Sequence, residues 1–202
     1  MNYIVILLPS LFIFVAGIVR ANPTLTTPIT VITKRFQPQS NIYVYSPLKF
    51  CKMSCEPNII IIADDDADDS LFLLRALLTV KIELTVIIVP NGQRLIDVLE
   101  SVSPKYIFLD INMPKRNGFD ALKQIRLNKI LDQPTVIMCS TSGSLDEVKL
   151  SQELGANMYL KKPNNMKNMN RMIEDVLSVD WSDKDKKNGP KQFMIDSDKQ
   201  YA

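Results

Sequence analysis

From residue 58 onward, the sequence predicts an α/β fold in which helices cover both faces of a parallel sheet. Short apolar runs alternate with amphipathic segments, and this alternation is typical of such sheets. Each apolar run has the length of a strand and is bounded by polar residues, Pro or Gly. The five predicted strands are residues 59–63, 84–89, 106–109, 135–139 and 158–160.

The segments between these strands are predicted to be helices, because their apolar residues recur at helical spacing. Residues that favour helix ends lie beside them. Asp68 or Asp69 is predicted to cap the first helix, and Asn91 and Asn117 precede the second and third. Gly155 follows the fourth helix as its predicted C-cap.

One domain is expected, because 202 residues accommodate one core of ordinary size with tails. We assign the domain to residues 57–180 and a polar tail to residues 181–202. Residues 1–56 are predicted to comprise an apolar segment and a disordered connector containing prolines. The domain has a slight acidic excess, so nucleic acid is not an expected partner.

Cysteine and histidine usage narrows the possible chemistry. Three cysteines, an odd number, do not suggest a disulfide framework and favour a cytoplasmic location. The chain has no histidine, which excludes histidine zinc sites and a Ser-His-Asp triad. The chemistry must therefore rely on carboxylates, hydroxyls and lysines.

Residues 3–19 form an almost continuous apolar stretch with three open interpretations. A signal peptide would have a suitable apolar core, but no basic residue precedes it. A membrane span would be short of the roughly 20 residues required, and the basic residues after it would place the domain in the cytoplasm. We favour the third interpretation, translation from Met53, which leaves residues 1–52 without a role in the fold. A membrane is a partner only if residues 3–19 span one.

Polar residues lie at the ends of four predicted strands, where open α/β sheets bind their ligands. Asp64 and Asp65 follow the first strand, Asp110 the third, Ser140 the fourth, and Lys162 comes soon after the fifth. Alone, the aspartates could form a solvated capping loop, Ser140 a cap and Lys162 a surface lysine.

Together these residues favour phosphoryl chemistry. Carboxylates held close together repel one another unless protons or a cation compensate. Mg²⁺ takes a few carboxylates, water and phosphate as ligands, and Asp65 with Asp110 would satisfy it. A hydroxyl and an ammonium facing that cation suit the oxygens of a transferred phosphoryl group.

Four motifs surround the polar strand ends: IIIIADDDADD (59–69), FLDINMPKRNG (108–118), VIMCSTS (136–142) and GANMYLKKP (155–163). On these motifs, residues 58–180 resemble the receiver domain of two-component response regulators. The spacing agrees, with 30 residues from Asp110 to Ser140 and 22 from Ser140 to Lys162. The resemblance implies a flavodoxin-like sheet of order 2-1-3-4-5, with Asp64, Asp65 and Asp110 in one pocket.

The resemblance also implies a role for each site residue. Asp110 would accept a phosphoryl group from a sensor histidine kinase or a phosphotransfer protein. Asp64, Asp65, Asp110 and the main-chain carbonyl of Asn112 would hold Mg²⁺. Lys162 would bind a phosphoryl oxygen.

Two further residues and one peptide bond take on expected roles from the same resemblance. Ser140 keeps the hydroxyl of the more common threonine and would act in the switch. Tyr159 matches the aromatic residue that turns inward when that hydroxyl moves to the phosphate. The peptide bond between Lys162 and Pro163 is expected to be cis.

The expected output is protein docking, because the tail is too short for a DNA-binding or enzymatic domain. We predict a single-domain regulator whose docking face is the fourth helix, fifth strand and fifth helix, around Lys149, Tyr159, Lys161 and Met169. Such a protein is not an enzyme, apart from slow self-dephosphorylation. The downstream target is unknown.

Three alternatives are weighed against this interpretation. An unphosphorylated pseudo-receiver, a binding module of the same fold, is the main one, although the complete residue set argues against it. A phosphohydrolase of the haloacid dehalogenase type would need an acid where Asn112 stands. A flavodoxin-like cofactor binder would have phosphate repelled by the acidic loop at 64–69.

Overall fold

The computed structural model describes most of the predicted domain and parts of both flanks. No helix in the described part of the chain combines the length and apolar character that crossing a membrane requires. The apolar stretch at 3–19 and the start at Met53 lie outside the described residues. The described residues are 29–34, 42–47, 58–80, 82, 84–127, 134–179, 181 and 193–196.

Five parallel strands form the centre of the sheet, as predicted. Their spatial order is β4-β3-β5-β6-β7, which is the predicted 2-1-3-4-5 order when the five are counted alone. Each predicted strand is confirmed to within one residue at either end. The strands are β3 (Asn58–Ala63), β4 (Leu84–Val89), β5 (Tyr106–Asp110), β6 (Thr135–Ser140) and β7 (Met158–Lys161).

Helices cover both faces of this sheet. Alternate residues of each strand point to opposite faces, so Ile60 and Ile62 join one apolar cluster and Ile61 the other. The first cluster includes residues of α1 and α5, and the second includes residues of α2 and α3. The helices are α1 (Ala67–Leu77), α2 (Gly92–Leu99), α3 (Gly118–Leu127), α4 (Leu145–Glu153) and α5 (Met166–Ser178).

Most predicted helix ends agree with the structure. Asn91 accepts a hydrogen bond from the Arg94 N–H, and Asn117 accepts one from the Asp120 N–H. Gly155 follows α4 with φ +84°, in the left-handed region where glycine is favoured.

The predicted cap of α1 is wrong. Asp66, rather than Asp68 or Asp69, is the N-cap, and its carboxylate accepts the N–H groups of both those residues. In a run of aspartates, the backbone turn after β3 selects the capping residue, and the composition of the run does not.

Within the described residues, three further strands extend the five-stranded parallel core, two at one edge and one at the other. β1 (Ile29–Lys34) and β2 (Ile42–Pro47) pair with each other in antiparallel fashion, and β2 pairs with β4. At the opposite edge, β8 (Met194–Ile195) pairs in parallel with β7. β1 and β2 lie within residues 1–56, where a disordered connector was expected, and their β-branched and aromatic residues favour strands. Edge strands leave backbone groups unpaired, and these can bind an added strand.

Candidate functional site

Three carboxylates meet at the carboxyl ends of β3 and β5. Asp64 directly follows β3 and Asp110 is the last residue of β5, and these two strands are paired neighbours. One oxygen from each of Asp64, Asp65 and Asp110 lies within 4.8 Å of the others. Asp64 and Asp110 are each only 7% exposed, whereas Asp65 is exposed. The three residues are thus brought together with oxygen donors that suit a hard divalent cation.

Lys162 lies at the centre of this acidic group. Its Nζ is 2.6 Å from Asp110 Oδ1, 2.7 Å from Asp64 Oδ2 and 2.9 Å from Asp69 Oδ2. β7 delivers the lysine to this position, since the Lys162 N–H donates a 2.7 Å hydrogen bond to the carbonyl of Ser140 on neighbouring β6. One ammonium therefore contacts three carboxylates from two separate parts of the sequence, the acidic run at 64–69 and the end of β5.

The charges in the pocket are only partly balanced. Burial raises the pKa of Asp64 to about 6, because removing the carboxylate from water outweighs its attraction to Lys162. Burial alone would lower the pKa of Lys162, but Asp64, Asp110 and Asp69 together raise it. The lysine is therefore firmly protonated, while Asp64 is held in an environment that disfavours its charge.

Backbone groups fix the orientation of the two buried carboxylates. The Asn112 N–H donates to Asp110 Oδ2 at 2.6 Å, and the Asp66 N–H donates to Asp64 Oδ1 at 3.0 Å. Asp110 Oδ1 and Asp64 Oδ2 are the oxygens that face the lysine. A cavity of about 30 Å³ beside Lys162 is lined in part by these same side chains and has room for a water molecule.

Gly118 allows the loop after Asp110 to close tightly. The Gly118 N–H donates to the Ile111 carbonyl at 2.9 Å. A Cβ added at Gly118 would collide with the main-chain carbonyl oxygen of Asp110. The glycine thus lets α3 begin against the backbone of the residue that supplies the central carboxylate.

Ser140 and Tyr159 form a second polar region next to the pocket. Ser140 is buried at the end of β6, and its Oγ accepts a 3.1 Å hydrogen bond from the Ser142 N–H. The hydroxyl of Tyr159, which is fully buried, lies 2.9 Å from both the Ser142 carbonyl oxygen and Glu147 Oε2, and its single proton is shared between these two acceptors. Burial also raises the pKa of Tyr159, so the phenol keeps its proton. Tyr159 thus points inward and contacts the first turns of α4.

Comparison with known proteins now identifies the family. The model of the response regulator receiver domain matches residues 60–174, more than half of the chain. This chain belongs to the response regulator receiver family. The receiver spans all five strands of the parallel core, both buried aspartates and Lys162.

Individual relatives agree with this assignment. The response regulator Rcp1 of Synechocystis is 32% identical over 129 residues, which cover 60% of this chain and 88% of Rcp1. The transcriptional regulatory protein CpxR of Escherichia coli is 38% identical over 65% of this chain, but the match spans only 54% of CpxR. The Mn²⁺-bound crystal structure of Rcp1 superposes with a TM-score of 0.55 at 31% identity, covering 61% of this chain and 94% of that one.

The structure differs from one expectation about Lys162 and adds one partner that was not predicted. The peptide bond between Lys162 and Pro163 is trans, so the cis prediction is wrong. The trans form is the lower-energy state of an X–Pro bond, and Lys162 reaches all three carboxylates with it. Asp69 was missed as a partner of Lys162. Its position in the acidic run was visible, but only the cap formed by Asp66 places it in the first turn of α1, facing the lysine.

Proposed function

We propose that this receiver accepts a phosphoryl group on Asp110 from the phosphohistidine of a partner histidine kinase or phosphotransfer protein. The supporting observation is that four side chains converge at the carboxyl ends of the parallel strands: Asp64, Asp65, Asp110 and Lys162. Receivers act with histidine kinases or phosphotransfer proteins in two-component signalling, which supplies the class of donor.

In the proposed reaction, a carboxylate oxygen of Asp110 forms a bond to phosphorus while the P–N bond of the donor breaks. The electron pair of that bond stays on the imidazole nitrogen, which then takes a proton. Lys162 already lies 2.6 Å from Asp110 Oδ1, and its ammonium would offset the charge of the incoming phosphoryl oxygens. The acyl phosphate would later be lost by slow hydrolysis.

The proposed cofactor is Mg²⁺, held by Asp64, Asp65, Asp110 and the main-chain carbonyl of Asn112. When bound, it would reduce the repulsion between these carboxylates and an approaching phosphoryl anion. The raised pKa of Asp64 supports a cation site, because the resting pocket carries a carboxylate that Lys162 does not fully compensate. The Mn²⁺ form of Rcp1 is a precedent for a divalent ion in a relative.

The proposed output is a change at the surface formed by α4, β7 and α5. The hydroxyl of Ser140 would turn toward a phosphoryl group on Asp110 and leave the Ser142 N–H that it now binds. Tyr159 would respond, because its own hydroxyl binds the Ser142 carbonyl. The protein would then signal by docking on a target.

Incubation of the full chain with a small phosphodonor and Mg²⁺ tests the proposal. We expect a base-labile mass increase of about 80 Da, one phosphoryl group on a carboxylate. Asp110→Asn should not form it, whereas Asp97→Asn, which removes a surface carboxylate on α2, should form it normally. Chelation of the metal should also prevent it. No adduct on the parent, or an equal adduct on Asp110→Asn, would instead support a pseudo-receiver.

A further inference from the structure

A short segment near the C-terminus completes the sheet beyond β7. Met194 pairs with Tyr159, and Ile195 pairs with Leu160, in a parallel register. The Tyr159 N–H donates a 2.8 Å hydrogen bond to the carbonyl of Phe193. We call residues 193–196 the edge segment. Its backbone occupies part of the hydrogen-bonding edge that β7 would otherwise present.

Side chains of the edge segment pack on both faces of the sheet. Ile195 is 5% exposed and belongs to the same apolar cluster as Leu160 and Met169. Phe193 and Met194 pack against the opposite cluster, which contains Tyr159. Contacts on both faces mean that the segment is seated by side-chain burial as well as by backbone pairing.

The last residue of the edge segment, Asp196, forms a charged contact with Lys161 of β7. Asp196 is buried, and its Oδ1 lies 3.4 Å from Lys161 Nζ. Lys161 is the last residue of β7, next to the lysine of the pocket. The segment is therefore recognised by a strand edge, two apolar surfaces and a cation, in a fixed order along its length.

The edge segment lies on the surface proposed for docking. Tyr159 and Lys161 were expected to face a partner, and both instead contact this segment. Met169 was also expected there, and it shares an apolar cluster with Ile195. The described part of the chain thus covers its own proposed docking surface.

We propose that the edge segment is an internal ligand of the α4-β7-α5 surface, and that a partner must displace it to bind there. The partner that fits is an extended peptide segment that adds a parallel strand to β7, with apolar residues followed by an acidic one. A tethered segment competes at a high effective concentration, so it would block weak partners. The role of this surface in signalling rests on the proposed function, but its occupation by the segment does not.

Hydrogen bonds of Ser142 and Tyr159 link the edge segment to Ser140, whose main-chain carbonyl accepts the Lys162 N–H. Ser140 Oγ accepts from the Ser142 N–H, and the Ser142 carbonyl accepts from the Tyr159 hydroxyl. The backbone N–H of the same tyrosine holds Phe193. If Ser140 turned to a phosphoryl group, this link would lose its first bond, and the segment would bind less tightly. A partner would then gain access in the phosphorylated state.

Hydrogen exchange of the Tyr159 amide measures whether the edge segment is bound. In the full chain we expect Ile195→Asp to speed this exchange by roughly tenfold or more, because a charge cannot replace the buried side chain. Leu127→Asp is the matched control, since Leu127 is 80% exposed at the end of α3. It should leave Tyr159 exchange unchanged. Equal exchange in the parent and in a folded Ile195→Asp variant would overturn the proposal.

A synthetic peptide with the sequence of residues 191–202 tests the binding surface directly. It should bind the Ile195→Asp chain, whose surface is open, and bind the parent at least tenfold more weakly. Equal binding to both, or to neither, would contradict an internal ligand. So would Tyr159 protection that rises with protein concentration, because the segment would then come from a second copy of the chain.

Exchanging the charges of Asp196 and Lys161 tests the same surface without placing a charge at the buried Ile195 position, so it remains informative if Ile195→Asp fails to fold. Asp196→Lys should speed Tyr159 exchange, and Asp196→Lys combined with Lys161→Asp should restore it at least in part. A double variant no better protected than Asp196→Lys alone would argue against the Lys161 contact as part of the binding surface.

Phosphorylation separates this inference from the proposed function. Treatment of the parent with a phosphodonor should produce the mass adduct and speed Tyr159 exchange, whereas treatment of Asp110→Asn should do neither. An adduct with unchanged exchange would overturn the coupling and leave the phosphoacceptor role standing. Absence of the adduct would overturn the phosphoacceptor role, while the peptide experiment would still decide whether the segment is a ligand.

Discussion

The acidic pocket and the neighbouring tyrosine region both bury polar groups, but they balance them differently. In the pocket, Asp64 and Asp110 share the ammonium of Lys162, and the pKa of Asp64 is raised to about 6 by burial. Around Tyr159, the hydroxyl and the backbone N–H both reach acceptors. The pocket is thus electrostatically unfavourable at rest, and the tyrosine region is satisfied.

This difference suggests how stability is divided between the two regions. A pocket with excess negative charge is stabilised by a cation that binds there. The free-energy cost of holding these carboxylates together in the metal-free protein therefore favours cation binding. The tyrosine region gains nothing from a cation and instead holds β7 against α4 and the edge segment. Substitutions in the two regions should therefore differ in pH dependence and in their response to metal, and Asp64→Asn in the pocket should even be stabilising.

The largest effect is expected for Lys162→Met, which leaves the carboxylates of the pocket without their shared cation. Loss of one member of a buried ion pair costs about 3–5 kcal/mol, so the free energy of unfolding at neutral pH should fall by about that amount. Divalent metal or acid should recover part of the loss, because each compensates the carboxylates. Urea unfolding with and without Mg²⁺ measures this.

The neighbouring lysine provides the control for this substitution. Lys161 is partly exposed, and its Nζ lies 3.4 Å from Asp196 Oδ1. Lys161→Met should cost no more than about 1 kcal/mol, without any recovery by Mg²⁺. Equal losses for the two lysines would mean that Lys162 does not balance a charged pocket.

Asp64→Asn should have the opposite sign and stabilise the metal-free protein. The folded pKa of about 6 lies above the ordinary value of 3.8, so the folded state holds a proton that the unfolded state releases between these values. Stability from this group is therefore lost as the pH rises from 3.8 to about 6. Above that range the variant should be more stable by about 3 kcal/mol, and below it the two proteins should be equal.

Urea unfolding across this pH range, in the presence of a chelator, measures the effect. Asp65→Asn is the matched control, because it makes the same chemical change at an exposed carboxylate in the same loop. A variant at Asp64 that is less stable than the parent at pH 7 would show that its pairing with Lys162 outweighs burial.

Tyr159→Phe should cost about 1 kcal/mol, because it removes from a well-packed ring the one hydroxyl donor that the Ser142 carbonyl and Glu147 share. This loss should not change between mildly acidic and neutral pH, in contrast to Asp64, because the phenol remains protonated. A double-mutant cycle with Glu147→Ala in urea unfolding tests the contact with Glu147 Oε2. If Glu147→Ala costs the same with and without the Tyr159 hydroxyl, the two groups are not coupled.

The sequence predicts the core strands and the pocket residues more readily than the edge strand β8. Parallel strands leave continuous apolar runs, and their ends are marked by polar residues, so the five core strands and the positions of Asp64, Asp110 and Lys162 could be read directly. The two-residue strand Met194–Ile195 has no periodicity of its own, and only the edge of β7 makes it a strand.

Side-chain partners were harder to predict because they depend on turn geometry. Asp66, Asp68 and Asp69 are chemically identical in the sequence. The backbone after β3 makes Asp66 the cap and turns Asp69 toward Lys162. Composition therefore indicated an acidic site, but the structure was needed to assign a task to each aspartate.

The smallest effect is expected at Asp69, which contacts Lys162 in the pocket but is itself partly exposed to solvent. Its Oδ2 lies 2.9 Å from Lys162 Nζ, yet the side chain is 40% exposed, so solvent screens the pair. Asp69→Asn should change the free energy of unfolding by no more than about 0.5 kcal/mol, and added salt should reduce the difference. Asp68→Asn makes the same charge change in the same helical turn and is the control. Urea unfolding could instead show a loss of stability for Asp69→Asn as large as that for Lys162→Met. Asp69 on α1 would then be the main partner of Lys162, and the charge balance of the pocket would not depend on the buried carboxylates of Asp64 and Asp110.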